Sequence, residues 1–399
     1  MKVSLWCKAR YWLLLLLVLL ITISSHPVIV DISRAAGMKS GTILSRYIIL
    51  CYGVLFIMYF NFQSMMRARF VRVCWALFIW VVVYYLLTMA IFNERSMMLD
   101  VRSMAICLVA IMIGWQLNLD EKKFHIMLMA FAGLILFVGL MQVFVNVGGF
   151  VILDQYKADN KNSLGVMLST AGIVFLFLGL NHQQKGMKKT LCFSLTVLTF
   201  AVLFAIRART ASLSMGIILL YIFYERFKGK NFIAYLIIGI LGVVVLYLAL
   251  PHAVKDFVYN SFVQNYEGAD ITSGRFGRNK VALLFLSDHI FFGNLNQNVV
   301  VGWIHNYPLN RTFEFGLVFV FPVMLLYLYL LINTIIKTVK SNNRNTQCIG
   351  YYLLLIPFII SMAEPTFPFG PGTATVFNFI VFGLALRYSY NAQYSLNCE

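Results

Sequence analysis

Runs of about 17–25 largely apolar residues recur along almost the whole chain, and each is long enough to cross a bilayer as a helix. They fall at roughly 11–26, 42–62, 73–91, 100–117, 125–146, 163–180, 190–206, 210–224, 231–250, 312–334, 347–363 and 373–388. The composition agrees with that pattern. The chain is 61% hydrophobic and 12% charged, where a soluble domain is nearer half apolar and a quarter charged. A soluble enzyme is therefore excluded. The expected fold class is all-α: a polytopic transmembrane helix bundle of about 12 spans, one integral membrane domain over 1–399 with a long, partly helical loop at 251–311.

The net charge of +17 does not point to nucleic acid, because no soluble domain is present to hold it. It follows the connecting segments instead. One set carries Lys2/Lys8/Arg10, Arg67/Arg69/Arg72, Lys122/Lys123, Lys185/Lys188/Lys189, Arg226/Lys228/Lys230, Lys337/Lys340/Arg344 and Arg387, 18 basic residues against 4 acidic ones; the rest of the chain holds 14 against 11. Lys and Arg are retained on the cytoplasmic side, so both termini are expected there. The first span could also be read as a signal peptide, from its basic start and Leu-rich core. His26-Pro27 makes a poor cleavage site, which favours an uncleaved anchor. The seven cysteines fall within spans or on the basic side and show no CxxC, so neither an external disulfide nor a structural zinc site is expected.

Polar chemistry collects on the opposite, outer side. The segment Pro251 to Arg311 is the longest connection, and long loops usually carry function. Val254, Phe257, Val258 and Phe262 recur there at helical spacing, which fits an interfacial helix or a helix packed on the bundle. A second stretch, Val281 to Phe292, is too short to span, and the loop is expected to fold back over the outer mouth of the bundle. Four shorter outer segments are rich in polar groups: Asp154 to Asn162, Arg207 to Thr210, Trp303 to Tyr307, and Glu364 to Gly372. Arg207 and Arg209 at a membrane edge need a partner or an aqueous cavity. They either snorkel to headgroups or, with Arg275 and Arg278, hold a pyrophosphate bidentately. His305 beside Asn306 is either a satisfied structural histidine or a general base.

Four of these stretches resemble the O-antigen polymerase and ligase superfamily of bacterial envelope glycosyltransferases. Arg209-Thr210-Ala211-Ser212-Leu213 is similar to its Arg-x3-Leu element. Ser273-Gly274-Arg275 with Gly293 resembles its loop-helix signature. His305-Asn306, nine residues, then Gly316 resembles its His-[Asn/Ser/Gln]-x9-Gly signature, and Lys161-Asn162-Ser163-Leu164-Gly165 resembles its Lys-Asn-x-Leu-Gly stretch. The likeness covers roughly residues 150–390. Asn279, Ile290 and Phe319 depart from the pattern.

The resemblance implies a C-type glycosyltransferase-like bundle in the bacterial inner membrane, with its active site facing the periplasm. It implies metal-independent, inverting transfer of a polyprenyl-pyrophosphate-linked glycan, without a cofactor, in polysaccharide or lipopolysaccharide biosynthesis. Arg207, Arg209, Arg275 and Arg278 would hold the pyrophosphate. His305 would orient or deprotonate the acceptor hydroxyl and Asn306 would fix its position. Glu364 would orient His305, and Asp154, Lys161 and Asn162 would contact glycan. Expected partners are lipid-linked donor and acceptor and membrane lipids, with room for a chain-length regulator. A polymerase that joins repeat units is favoured over a ligase that moves polymer to lipid A core. A transporter or flippase is the alternative of another class: a mid-depth site with broken helices would favour it.

Overall fold

The computed structural model describes residues 2–35, 44–59, 68–92, 97–147, 161–180, 186–206, 208–226, 248, 252, 275–295, 299, 301, 304–341, 348–370 and 373–396. All regular structure among them is helical. In chain order the helices are α1 (Lys2–Ile23), α2 (Pro27–Ala35), α3 (Ser45–Tyr59), α4 (Arg69–Phe92), α5 (Met97–Gln116), α6 (Glu121–Val147) and α7 (Lys161–Leu180). They continue with α8 (Met187–Ala205), α9 (Arg209–Arg226), α10 (Arg275–His289), α11 (Tyr307–Lys340), α12 (Ile349–Ser361) and α13 (Val376–Leu396).

Each apolar run read from the sequence coincides with one of these helices, except 231–250, of which all but 248 lies outside the described residues, as do 254–262. Five helices are long and apolar enough to cross a membrane, namely α4, α6, α7, α8 and α11, and α1, α3, α12 and α13 contain shorter apolar helices. The fold is that of a helical membrane protein.

Small residues let the central helices approach closely, as lipid-embedded helices require when no water drives them together. On α5 and α13, Gly114 and Gly383 face one another's backbones. A Cβ on Gly114 would overlap the Ile380 carbonyl, and one on Gly383 the Ile111 carbonyl. Gly350 of α12 meets the Val381 carbonyl in the same way. Polar groups inside this seam are paired: Asn378 donates to Thr170 Oγ1 at 2.9 Å and to the Leu353 carbonyl at 2.7 Å. α13 is buried over Val376 to Leu386 and α7 over most of its length.

The two ends of the bundle differ. At one, Arg387 donates to the Gln116 carbonyl (2.9 Å), Tyr388 to that of Leu119 (2.6 Å) and Tyr11 to that of Lys123 (3.3 Å). There Asp120 caps α6, accepting from Lys123 N at 2.7 Å and Lys123 Nζ at 2.8 Å, and these bonds hold its carboxyl below the usual range. Tyr11, Lys123 and Arg387 belong to or adjoin the basic clusters of the sequence. At the other end, Asp100 of α5 meets Arg311 of α11.

α11 is not one rod. Gly316 has φ 70 and ψ 165, inside a 34-residue helical stretch. Tyr307 and Tyr327 nevertheless stack, with ring centroids 5.7 Å apart; an uninterrupted helix would separate these residues by about 30 Å. The chain therefore doubles back at Gly316, forming a short arm (Tyr307–Phe315) against a long arm (Leu317–Lys340). The tenth span read at 312–334 is corrected accordingly.

Candidate active site

The doubling-back explains two glycines of the His and loop signatures. A break in a helix frees backbone groups that membrane protein interiors must satisfy. Here the segment after α10 supplies the partners. Leu317 N donates to the Ile290 carbonyl (2.8 Å), Val318 N to that of Phe291 (3.1 Å), and Asn294 N to that of Phe313 (2.8 Å). The two segments touch backbone to backbone, at two glycines that both have positive φ, 54 for Gly293 and 70 for Gly316. A Cβ on Gly316 would lie 2.5 Å from Gly293 N, and one on Gly293 would lie 2.6 Å from the Phe313 carbonyl. Only glycine has both the conformation and the space.

The short arm carries the His-Asn pair at its free end. Asn306 is the N-cap: its Oδ1 accepts from Leu309 N at 3.0 Å, closing the first turn. Its Nδ2 donates to the Met362 carbonyl at 3.1 Å, tying the helix start to the segment after α12. Tyr307 follows, fully buried, packed on Tyr327 and edge-on to Phe369. Tyr327 in turn shares a 2.8 Å hydrogen bond with Ser361 at the end of α12. These contacts place His305 and Asn306 at the level of Tyr327, eleven residues or about 16 Å in from the Gly316 bend.

Glu364 joins two predicted site residues. Its carboxylate is buried, with side-chain exposure of 6%. Oε1 accepts from Arg275 Nη2 at 2.9 Å, while Arg275 Nη1 donates to the Ala363 carbonyl at 3.0 Å. Oε2 lies 3.7 Å from His305 Nδ1, too far for a hydrogen bond, and Nδ1 is buried without a partner. A shift of under 1 Å would close the pair and leave Nε2 to face a substrate. Guanidinium, carboxylate and imidazole thus form one chain of contacts. Most of its members come from irregular segments or helix ends, positioned by the α11 bend and by the stop of α12 at Ser361.

The remaining predicted residues divide as follows. Asn162 is half-buried in the first turn of α7, and Lys161 begins that helix, its side chain outside the described residues. Gly165 explains why this stretch sits beside the Arg-x3-Leu element: a Cβ there would be 2.9 Å from Ala211 Cβ and 3.0 Å from Ala208 Cβ. Ser169 donates across the same contact to the Ala211 carbonyl at 2.8 Å. Arg209 is the first residue of α9 and half-buried. The contact of Tyr221 with Tyr352 (6.1 Å between centroids) sets the register of α9 against α12. Twelve residues from each, Arg209 and Glu364 lie at the same end. Arg278 is half-buried on α10, close to one turn from Arg275. Arg207 and Asp154 lie outside the described residues.

One expectation is corrected. α10 does not lie across the outer mouth. It runs parallel to the short arm, with Arg275 near His305 at one end and Phe291 to Gly293 at the Gly316 bend at the other, and with Ala282 and Leu286 clustered on Ile304 and Phe313 between them. Within the Arg275, Glu364 and His305 chain the carboxylate is the most buried, at 6% side-chain exposure against 19% for His305 and 31% for Arg275.

Sequence reading missed a charged cluster nearby. Arg311 binds Asp100 through Nε (2.6 Å) and Nη2 (2.7 Å), and also pairs with Glu314. Its guanidinium lies 5.5 Å from the Tyr307 ring centroid, and Asn310 donates to Glu314 at 3.0 Å. The available signal was an Asp, an Arg and a Glu at the edges of apolar runs, where an unpaired charge is costly. Neither a family profile nor a curated protein matches the chain.

Proposed function

We propose that this chain is an inner-membrane glycosyltransferase of about twelve spans that acts on polyprenyl-pyrophosphate-linked glycans at the periplasmic side, joining repeat units as a polymerase. The observation that carries this reading is the contact chain Arg275, Glu364, His305, with Asn306 clamped to Met362. It supplies the two things such a transfer needs, a fixed cation for a pyrophosphate leaving group and a positioned base for a sugar hydroxyl.

In this mechanism the acceptor hydroxyl gives its proton to His305 Nε2 as its oxygen attacks the anomeric carbon. The anomeric C–O bond to pyrophosphate breaks, and the bonding pair leaves with the phosphate oxygen. Glu364, facing Nδ1, stabilises the imidazolium. Arg275 meets the departing charge with the donors not used by Glu364 and Ala363, joined by Arg207, Arg209 and Arg278. Both termini are cytoplasmic in this arrangement, a placement that the basic end of the bundle supports.

A second reading is favoured by one observation. A half-helix start beside an irregular segment at depth, as at Asn306 and Met362 to Glu364, is also how transporters build midplane sites. One experiment separates the two. Purified protein in vesicles is given a polyprenyl-pyrophosphate-linked oligosaccharide in the presence of a chelator. Longer glycan with release of polyprenyl pyrophosphate, lost in His305→Ala, supports the transferase. Passage of the lipid across the bilayer with no new glycosidic bond refutes it in favour of transport.

A further inference from the structure

α10 is 15 residues long, about 22 Å, and cannot cross a bilayer. One face packs on the short arm through Ala282 and Leu286. The rest of its surface and the turn after it expose large apolar side chains: Phe276 72%, Leu283 59%, Leu284 62%, Phe291 64% and Phe292 57%. A helix bathed in water has no reason to carry these groups at such exposure, and a contiguous apolar patch marks a docking surface.

Its occupant follows from position. The turn after α10 is hydrogen-bonded to Leu317 and Val318 at the top of the long arm. Leu317, Val318 and Phe321 are themselves exposed on a helix apolar enough to cross a membrane, so the two surfaces are continuous. The other end of α10 is equally constrained. Arg275 reaches Ala363 and Glu364, next to Ser361, which bonds Tyr327 on the long arm. α10 therefore runs beside the long arm between the Gly316 bend and the level of Tyr327. Counting about 30 Å of hydrocarbon back from Lys337 brings the bend to the opposite membrane boundary. Asp288 and its neighbour Ser287 (3.4 Å) lie at the bend end, at headgroup level.

We infer that α10 and the short arm, side by side and parallel, form a re-entrant unit, and that the exposed face of α10 is embedded among lipid acyl chains of the outer leaflet. The loop that links two spans is thus, in its second half, a membrane element. Arg275 is carried into the site from the lipid side. The inference concerns lipid contact alone and stands or falls apart from the proposed chemistry.

The test uses the full, unaltered chain in native-composition vesicles of phosphatidylethanolamine and phosphatidylglycerol, doped with a phospholipid bearing a diazirine on its acyl chain. After irradiation, adducts are mapped by mass spectrometry, with Leu317 to Phe321 of α11 as internal reference. Adducts on the Phe276–Phe292 peptide within about threefold of the reference are expected for an interfacial element. Labelled α11 with a blank α10 peptide overturns the inference. So does chemical crosslinking that joins the α10 face to a second copy or to another segment of this chain in the absence of lipid adducts.

Discussion

Replacing Gly316 with alanine tests the hinge on which the site depends. At φ 70 and ψ 165 the backbone occupies a region that is essentially glycine-only, and holding another residue there costs about 1–3 kcal/mol. The added Cβ would also overlap the Phe291 carbonyl and lie 2.5 Å from Gly293 N, and such overpacking costs a further 1–3 kcal/mol or so. The neighbours are backbone, so they cannot swing aside as a side chain would. Holding three inter-segment hydrogen bonds, each worth about 1 kcal/mol net, becomes no better than letting the hairpin open. The variant should relax that way, leaving the α5–α13 seam intact. A loss of about 3 kcal/mol corresponds to roughly a hundredfold greater opening. Hydrogen exchange in nanodiscs reads this directly. The Leu317 and Val318 amides should lose about two orders of magnitude of protection while α7 and α13 keep theirs. Unchanged protection at those two amides would refute the hinge argument.

Three further outcomes follow from named contacts. Glu364→Gln keeps the shape but removes the charge between Arg275 and His305; turnover of a lipid-linked glycan in a vesicle assay, per mole of protein recovered folded on size exclusion, should fall at least about a hundredfold. Asp100→Asn leaves Arg311 with Glu314 as its remaining carboxylate partner, and breaking a buried pair costs about 3–5 kcal/mol; the unfolding temperature in detergent should drop, and the swapped pair Asp100→Arg with Arg311→Asp should recover part of it. Gly383→Ala should destabilise by about 1–3 kcal/mol through its collision with the Ile111 carbonyl. Gly133→Ala on α6, with nothing within 4 Å of the new Cβ, should be neutral or slightly stabilising from helix propensity; equal losses at the two sites would contradict the seam.

The helices were legible because length and hydropathy decide them locally. An apolar run near 20 residues must satisfy its own backbone in lipid, whatever its neighbours are. His305, Arg275 and Glu364 were legible as chemistry, since ionisable groups at a membrane edge demand an account. Their depth was not. It rests on the meeting of Gly293 and Gly316, a tertiary contact between glycines of two separate signatures whose spacing does not say that they touch. The tenth span therefore read as 312–334, running straight through the Gly316 bend that divides α11 into two arms. Asp100 and Arg311 escaped notice for a similar reason. Each sits at the edge of an apolar run, where a lone charge passes for a snorkelling one, and the two are 211 residues apart in sequence. Gly165 shows the converse, a motif position whose physical reason, the close approach to Ala208 and Ala211, becomes visible with the fold.

The central claim, transfer of a lipid-linked glycan by a site centred on His305, is tested most directly in a strain lacking this gene. Its surface glycolipid is resolved on a gel, with lipid-linked glycan probed in parallel, after complementation by the native chain or by His305→Ala. The account predicts core bearing a single repeat unit in the deletion, and long chains restored by the native protein but not by His305→Ala. Repeat units trapped on the cytoplasmic side, or full rescue by His305→Ala, would contradict it.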